Sequence, residues 1–484
     1  MGSIEGKKGE ARGDSYILRC AEIQEEQVQE KMISKKFSSE KIEVFERMPI
    51  RRAVIVQVLP AVLSQMVTLI YNLADTYFVG KLNAPAQSAA VSIALPLFLL
   101  LTAISNLFGI GGASALSQSL GKRDFSGAGR IASIAFWWGA AVAVVFGLAL
   151  WTVITPVLHL VGASADTFEP AKDYLYWTVL LGGAPTVLNM LLANIVRAEG
   201  AAGVAAVGVS VGGILNFFLD PFFILPQFLG MGAAGAGLAT ALSNLLGTSF
   251  FAGYVFCSKK TTLSLSPVAL RWTGKHIGQI LKVGVSSSVQ FVLTVVSAAA
   301  TMKFISLDST EAVAAYGIQK KLDQLPLYFS LGIASGLLPL LAYNYASGNQ
   351  KRREAAFRFG VGMAVCFALL SLALFEWKAP ELTRLFIDDA KTVALGATFL
   401  RIQIIAQPLV AINYPLIVQF QAMGKARPAL VCSLIRKGIL DLPLLWILNR
   451  LWPLYGCIWV QPVVDCIALF CCLAIYRQTM RHGE

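Results

Sequence analysis

Three observations predict an all-α polytopic membrane protein, with twelve transmembrane helices in two six-helix lobes related by pseudo-two-fold symmetry along the membrane normal. The chain of 484 residues is 56% hydrophobic and 14% charged, with a mean hydropathy of +0.65, and no soluble domain of that size is so apolar throughout. About twelve apolar runs each reach the roughly 20 residues a spanning helix needs. The second half also echoes the first at offsets of about 224–227 residues. Leu116-Ser117-Gln118-Ser119-Leu120-Gly121-Lys122 returns as Tyr343-Asn344-Tyr345-Ala346-Ser347-Gly348-Asn349, Val196-Arg197-Ala198-Glu199-Gly200 as Phe420-Gln421-Ala422-Met423-Gly424, and Gly230-Met231-Gly232 as Leu454-Tyr455-Gly456. Six helices preserve orientation, so such a repeat is parallel, and two bundles facing each other enclose a central cleft.

In chain order, residues 1–48 read as a cytosolic tail with nine Lys/Arg against ten Asp/Glu. Ile23, Val28, Met32 and Ile33 fit one amphipathic helix on the lipid surface, although a solvated extension fits equally. The start has no apolar h-region, so no cleavable signal peptide is expected, and it lacks the Ser or Thr of a myristoylation motif. Spans are expected over 53–79, 87–118, 131–158, 171–196, 204–228 and 233–257 in an N-lobe of residues 49–257. A cytosolic linker covers 258–275. A C-lobe of residues 276–477 holds spans at 277–304, 313–343, 355–376, 392–422, 429–449 and 455–476, and 478–484 form the C-terminus.

The formal charge of +12 belongs to short loops between helices. Lys122-Arg123 with Arg130, Arg197, Lys259-Lys260 with Arg271 and Lys275, Lys351-Arg352-Arg353, Lys425 with Arg427, and Arg477 with Arg481 occupy every second connection. That pattern puts both termini in the cytoplasm and does not signal nucleic-acid binding; the expected location is the plasma membrane. Eight cysteines lie mostly in apolar runs without metal spacing and read as packing residues. Three scattered histidines argue against a zinc site or a histidine catalyst, so no enzyme and no cofactor is expected.

Two acids stand out inside apolar runs. Asp75 lies six residues before Lys81, about 9 Å from its helix end at 1.5 Å per residue. Asp220 precedes Pro221, whose ring frees a backbone carbonyl on its own helix. An acid at such depth is a functional candidate by default. Asn216 lies one turn before Asp220 on the same face, and Thr240 adds a hydroxyl from the next segment. Asp75, Asn216, Asp220 and Thr240 form an all-oxygen set suited to Na⁺ or a shared proton, and two adjacent carboxylates in low dielectric titrate as a coupled pair. The alternative is that each acid caps a helix end or finds a separate partner.

Over nearly the whole apolar region the sequence resembles the multidrug and toxic compound extrusion (MATE) family. The residues that carry the resemblance are Tyr71-Asn72-Leu73-Ala74-Asp75-Thr76 with Phe78-Val79-Gly80, Leu120-Gly121-Lys122, Arg197-Ala198-Glu199-Gly200, Asn216 with Leu219-Asp220-Pro221, and Gly235-Ala236-Gly237-Leu238-Ala239-Thr240. The resemblance implies two lobes and cation-coupled antiport, with H⁺ or Na⁺ as coupling ion and amphipathic, often cationic, organic molecules as cargo. It also implies a cation site at Asp75, Asn216, Asp220 and Thr240, and a first-helix hinge at Pro60. Segments seven and ten carry Gln290, Gln403, Gln407 and Asn413 instead of the acids of one MATE branch. The chain is therefore closer to the DNA-damage-inducible-F-like branch, which couples through the N-lobe.

Tyr71, Gln290, Lys320, Lys321 and Asp323 are the expected substrate-cavity residues. Asp441 and Asp465 form a second polar cluster, either a cation pocket or partners of Arg436, Lys437 or Arg450. Two rival readings are a lipid-linked saccharide flippase, which Lys320-Lys321 would favour, and an intramembrane enzyme using Asp75 and Asp220 as a dyad. The expected partners are small organic molecules and the lipid bilayer, with the chain a monomer.

Overall fold

A computed structural model of the protein describes residues 42–82, 84–258 and 260–481. The amphipathic helix expected around Ile23 to Ile33, together with Cys20 and His482, lies outside the described residues. What is described is helical, in the order α1 (Ile50–Gly80), α2 (Pro85–Gly121), α3 (Phe125–Thr152), a short helix Ile154–Leu160, α4 (Ala165–Leu175), α5 (Gly183–Ala198), α6 (Ala202–Ile224) and α7 (Ala233–Cys257). A 3₁₀ turn, Pro267–Trp272, leads into α8 (Thr273–Ile305), followed by α9 (Thr310–Ala346), α10 (Gln350–Arg384), α11 (Ala390–Ile404), α12 (Gln407–Ala422), α13 (Ala426–Leu434), α14 (Asp441–Leu451) and α15 (Tyr455–Arg481). Among the described residues nine helices are long and apolar enough to cross a membrane, and two bent pairs bring the number to eleven.

Local chemistry sets the helix starts. Asp124 accepts from the Gly127 N–H at 2.7 Å and Asn349 from that of Arg352 at 3.1 Å, each satisfying an otherwise orphaned donor of the helix it opens. The repeated Gly200 and Gly424 both adopt a left-handed turn, at φ +93° and +68°, a conformation that favours glycine. α1 runs through Pro60 unbroken, and the Ser64 hydroxyl donates to the Pro60 carbonyl at 2.9 Å.

The two halves of the chain meet along α1 against α9 and α2 against α8. The second contact is backbone on backbone. A Cβ on Gly284 would stand 1.8 Å from the Leu107 carbonyl oxygen, and one on Gly111 would stand 2.1 Å from that of Ile280. Only glycine permits that approach, which suits helix pairing in lipid.

At the end where α1 starts and α2 stops, the halves are laced together. Phe45 stacks on Tyr343 at 4.7 Å, and Glu46 takes hydrogen bonds from the Tyr343 hydroxyl (2.7 Å) and from Arg123 (2.6 Å). Arg352 donates to the carbonyls of Phe45, Val44 and Met48 at 2.6, 3.1 and 2.7 Å. Ser114 and Gln118 of α2 donate to the carbonyls of Gln421 and Ala422 at 2.6 and 2.8 Å. The segment after α7 is held by buried Glu199, whose carboxylate accepts from both Thr261 and Thr262 hydroxyls and from the Thr262 N–H.

Candidate functional site: an acidic pair in the first half

α1 and α6 lie side by side. Their contact needs a small residue, because a Cβ on Gly213 would meet the Tyr71 ring and the Val67 side chain at 2.8 Å. This approach carries Asp75, near the end of α1, towards Asp220, near the end of α6. The two carboxylates lie within electrostatic reach of each other. Asp220 is fully buried; its Oδ1 accepts from Asn216 Nδ2 at 3.1 Å, and its Oδ2 is buried without a hydrogen-bond partner. Asp75 Oδ1 is likewise buried and unpartnered. Among the described residues neither acid has a Lys or Arg within ion-pair distance. Orphaned carboxylate oxygens in a low-dielectric setting strongly favour a small cation or a proton.

Asp75, Asn216 and Asp220 are thus brought together. Thr240 is on α7, which packs against α6, and its carbonyl accepts from Asn244 at 3.0 Å. No hydrogen bond joins its hydroxyl to either acid among the described residues. Tyr71 is a turn from Asp75 and interacts with Tyr328 of α9, so the pair borders the contact between halves. Tyr174, at the end of α4, was not singled out from the sequence, yet it is buried within reach of both acids. A tyrosine near a segment end gives no sequence signal of its own. A further unforeseen polar seam joins Asn189 to Asn244 (2.9 Å) and Asn244 to Thr186 (3.1 Å).

The second half is polar in a different way. Arg436 pairs with Asp465, their side chains 2% and 0% exposed, and lies 4.3 Å from the Tyr414 ring centroid. Asp465 also accepts from Asn413 at 3.3 Å and from Gln461. Lys437 donates to Gln461 at 2.6 Å, and Ser297 of α8 donates to Asp441. Asp323 accepts from Gln407 at 2.5 Å, and Lys320 lies over the Tyr316 ring at 5.3 Å, while Lys321 is exposed. Gln290 accepts from the Ser433 hydroxyl at 3.1 Å. Of the partners expected for Asp441 and Asp465, Arg436 is paired directly, whereas Arg450 lies apart, over Trp446 at 5.4 Å.

The MatE family model matches this chain twice, over residues 60–222 and 286–447. A multidrug export protein, MepA, of Staphylococcus haemolyticus is 28% identical over 438 residues, covering 90% of this chain and 95% of its own length. MepA of Staphylococcus aureus strain MRSA252 is 27% identical over 439 residues, covering 90% and 96%. Among solved structures, an outward-facing multidrug resistance MATE family transporter of the MOP superfamily superposes with a TM-score of 0.85 at 23% identity, over 92% of this chain and 98% of its own. A MOP superfamily transporter from Pyrococcus furiosus, described as having a binding pocket of reverse polarity, superposes with a TM-score of 0.83 at 22% identity, over 92% and 99%.

Proposed function

The chain belongs to the MatE family, and from that premise we propose that it exports amphipathic, often cationic, organic molecules in exchange for H⁺ or Na⁺. It is a multi-pass membrane transporter and not an enzyme. The observation that carries the exchange reading is the pair of buried Asp220 and half-buried Asp75, with one buried, orphaned oxygen each and no ion-pair partner among the described residues. A cation entering there removes the repulsion between the acids; its departure restores it. That difference is what lets an ion bias one conformation over another.

Residues 49–257 and 276–477 form the two lobes in this reading, with 258–275 between them. The broken stretch from α13 to α14 counts as the twelfth span beside the eleven long or bent ones. The basic loops in every second connection support a cytoplasmic position for both termini. Coupling through the first half, as in the DNA-damage-inducible-F-like branch, is supported by the contrast between an uncompensated acid pair there and paired charges in the second half. A flippase for polyanionic lipids has less support, since Lys320 shares its surroundings with Asp323.

Substrate efflux from proteoliposomes under separately imposed proton and sodium gradients tests the proposal. One of the two gradients should drive efflux, and Asp75→Asn should abolish that dependence while insertion and thermal unfolding stay unchanged. Efflux that ignores both gradients, or an Asp75→Asn chain that still follows one, overturns it.

A further inference from the structure

The helix region that follows Gly424 repeats the pattern around Asp220 with one telling exchange. Ile214-Leu215-Asn216-Phe217-Phe218-Leu219-Asp220 is matched without a gap by Ile435-Arg436-Lys437-Gly438-Ile439-Leu440-Asp441. In both stretches a buried carboxylate follows a buried polar residue by four positions. In the first half that residue is a neutral amide donating to Asp220 at 3.1 Å. In the second it is Lys437, only 7% exposed, which donates to Gln461 and stands within electrostatic reach of Asp441 but beyond ion-pair distance of it.

The facing helix differs in the same sense. α1 presents Asp75 to Asp220, whereas α8, the corresponding helix of the second half, presents the Ser297 hydroxyl to Asp441. The formal charge of the first constellation is −2, from Asp75 and Asp220; in the second, Asp441 has Lys437 within electrostatic reach, and Lys320 as well, so no net negative charge is left. The balance extends outward, since Arg436 answers Asp465, and Lys320 and Asp323 interact with each other. Lys437 also donates to Gln461, which donates in turn to Asp465, so its ammonium is fixed by a hydrogen bond as well as by charge.

We propose that Lys437 is a tethered cation, held permanently beside Asp441 so that its charge takes the place of a mobile ion in the second half. A lysine ammonium is a compact charge on a flexible stem and can answer a carboxylate much as a bound ion does. An additional monovalent cation would leave uncompensated positive charge in a dry interior, which is strongly disfavoured. Only the first half then exchanges an ion with solution. This deepens the exchange reading given above and rests on it for its meaning, but its test does not require Asp75 or Asp220.

The test uses the full chain carrying Asp75→Asn and Asp220→Asn, purified in detergent. Equilibrium binding of radioactive sodium and proton uptake followed with a pH indicator are the two readouts. With Lys437 intact, or as Lys437→Arg, no saturable uptake through Asp441 is expected. Adding Lys437→Asn should create one saturable site per chain for Na⁺ or H⁺, and Asp441→Asn should remove it again. A site dependent on Asp441 while Lys437 is present, or a folded Lys437→Asn chain that gains none, overturns the proposal. Should Lys437→Asn fail to fold, the Lys437→Asn/Asp441→Asn chain decides: it must fold and show a cooperative thermal transition, and a double variant that also fails to fold overturns the proposal. If the chain with Asp75 and Asp220 intact binds no ion at the first half, the exchange reading falls alone, because the gained site is measured without those acids.

Discussion

A carboxylate within a bilayer persists only where something answers its charge, and the acids of this chain are answered in opposite ways. Asp465 has a guanidinium, an amide from Asn413 and another from Gln461. Asp220 has one amide, from Asn216, and a bare oxygen. Replacing each by asparagine therefore has opposite signatures. Asp220→Asn preserves shape and removes a repulsive charge, so the fold should hold while ion-driven efflux falls by about tenfold or more, a loss of 1.4 kcal/mol or above in ion affinity. Asp465→Asn strands Arg436 in the interior and should cost about 3–5 kcal/mol of stability, seen as a lowered thermal unfolding temperature whatever the ion present. Equal thermal stability of the two variants would contradict the contrast. Tyr174→Phe is a finer probe of the same site. Removing a hydroxyl within electrostatic reach of both acids, though hydrogen-bonded to neither, should weaken the apparent affinity for the coupling ion about threefold, less than the roughly 1 kcal/mol of a neutral hydrogen bond, while the maximal rate under saturating ion stays near that of the unaltered chain.

Continuous apolar helices were legible in the sequence because lipid demands length and composition, but their breaks were not. The span expected over 171–196 is two helices bent by 52° across a π turn, Tyr176–Leu181. The cause lies in Gly182-Gly183: a Cβ on Gly182 would fall 2.4 Å from the Trp177 carbonyl oxygen and 2.8 Å from the Ala241 Cβ. Glycine pairs and π turns are known sources of sharp helix bends. The bend sets where α4 ends, and with it the place of Tyr174, which is why that residue escaped a reading based on periodicity. Gly182→Val should force α7 away from the bend, lowering stability by about 1–3 kcal/mol and weakening ion coupling more than Tyr174→Phe does. Unfolding curves and ion titrations on the same preparation check both. A further π turn, Ile435–Ile439, acts similarly. It turns the consecutive residues Arg436 and Lys437 into the interior together, at 2% and 7% exposure. Sequence patterning could flag Asp75, Asn216 and Asp220, since each is polar within an apolar run, and it found the acids Asp441 and Asp465. It could not rank the cations that answer those two acids, because that depends on wider helical winding.

At the scale of the molecule, the two halves are closed against each other at the end bearing Lys122, Arg123 and Lys351-Arg352-Arg353. The closure joins an apolar cluster around Phe45, Tyr343 and Phe420 to polar ties: Glu46 between Arg123 and Tyr343, Arg352 on the carbonyls of residues 44, 45 and 48, and Ser114 and Gln118 on those of residues 421 and 422. Each neutral bond contributes about 0.5–1.5 kcal/mol net, and those to charged groups somewhat more. In the proposed exchange cycle, ion and cargo binding must outweigh this closure before the end can open. Arg352 is its most connected side chain, and Arg352→Ala removes all three of its bonds without touching either acid. Spin labels at Lys122→Cys and Lys351→Cys, both exposed and on opposite halves, placed in a chain without other reactive cysteines, report the separation. The unaltered background should give one short distance at this end; Arg352→Ala should add a longer component, and restoring arginine should remove it. A distribution that does not change would mean that the contacts through Ser114 and Gln118 hold the halves together alone.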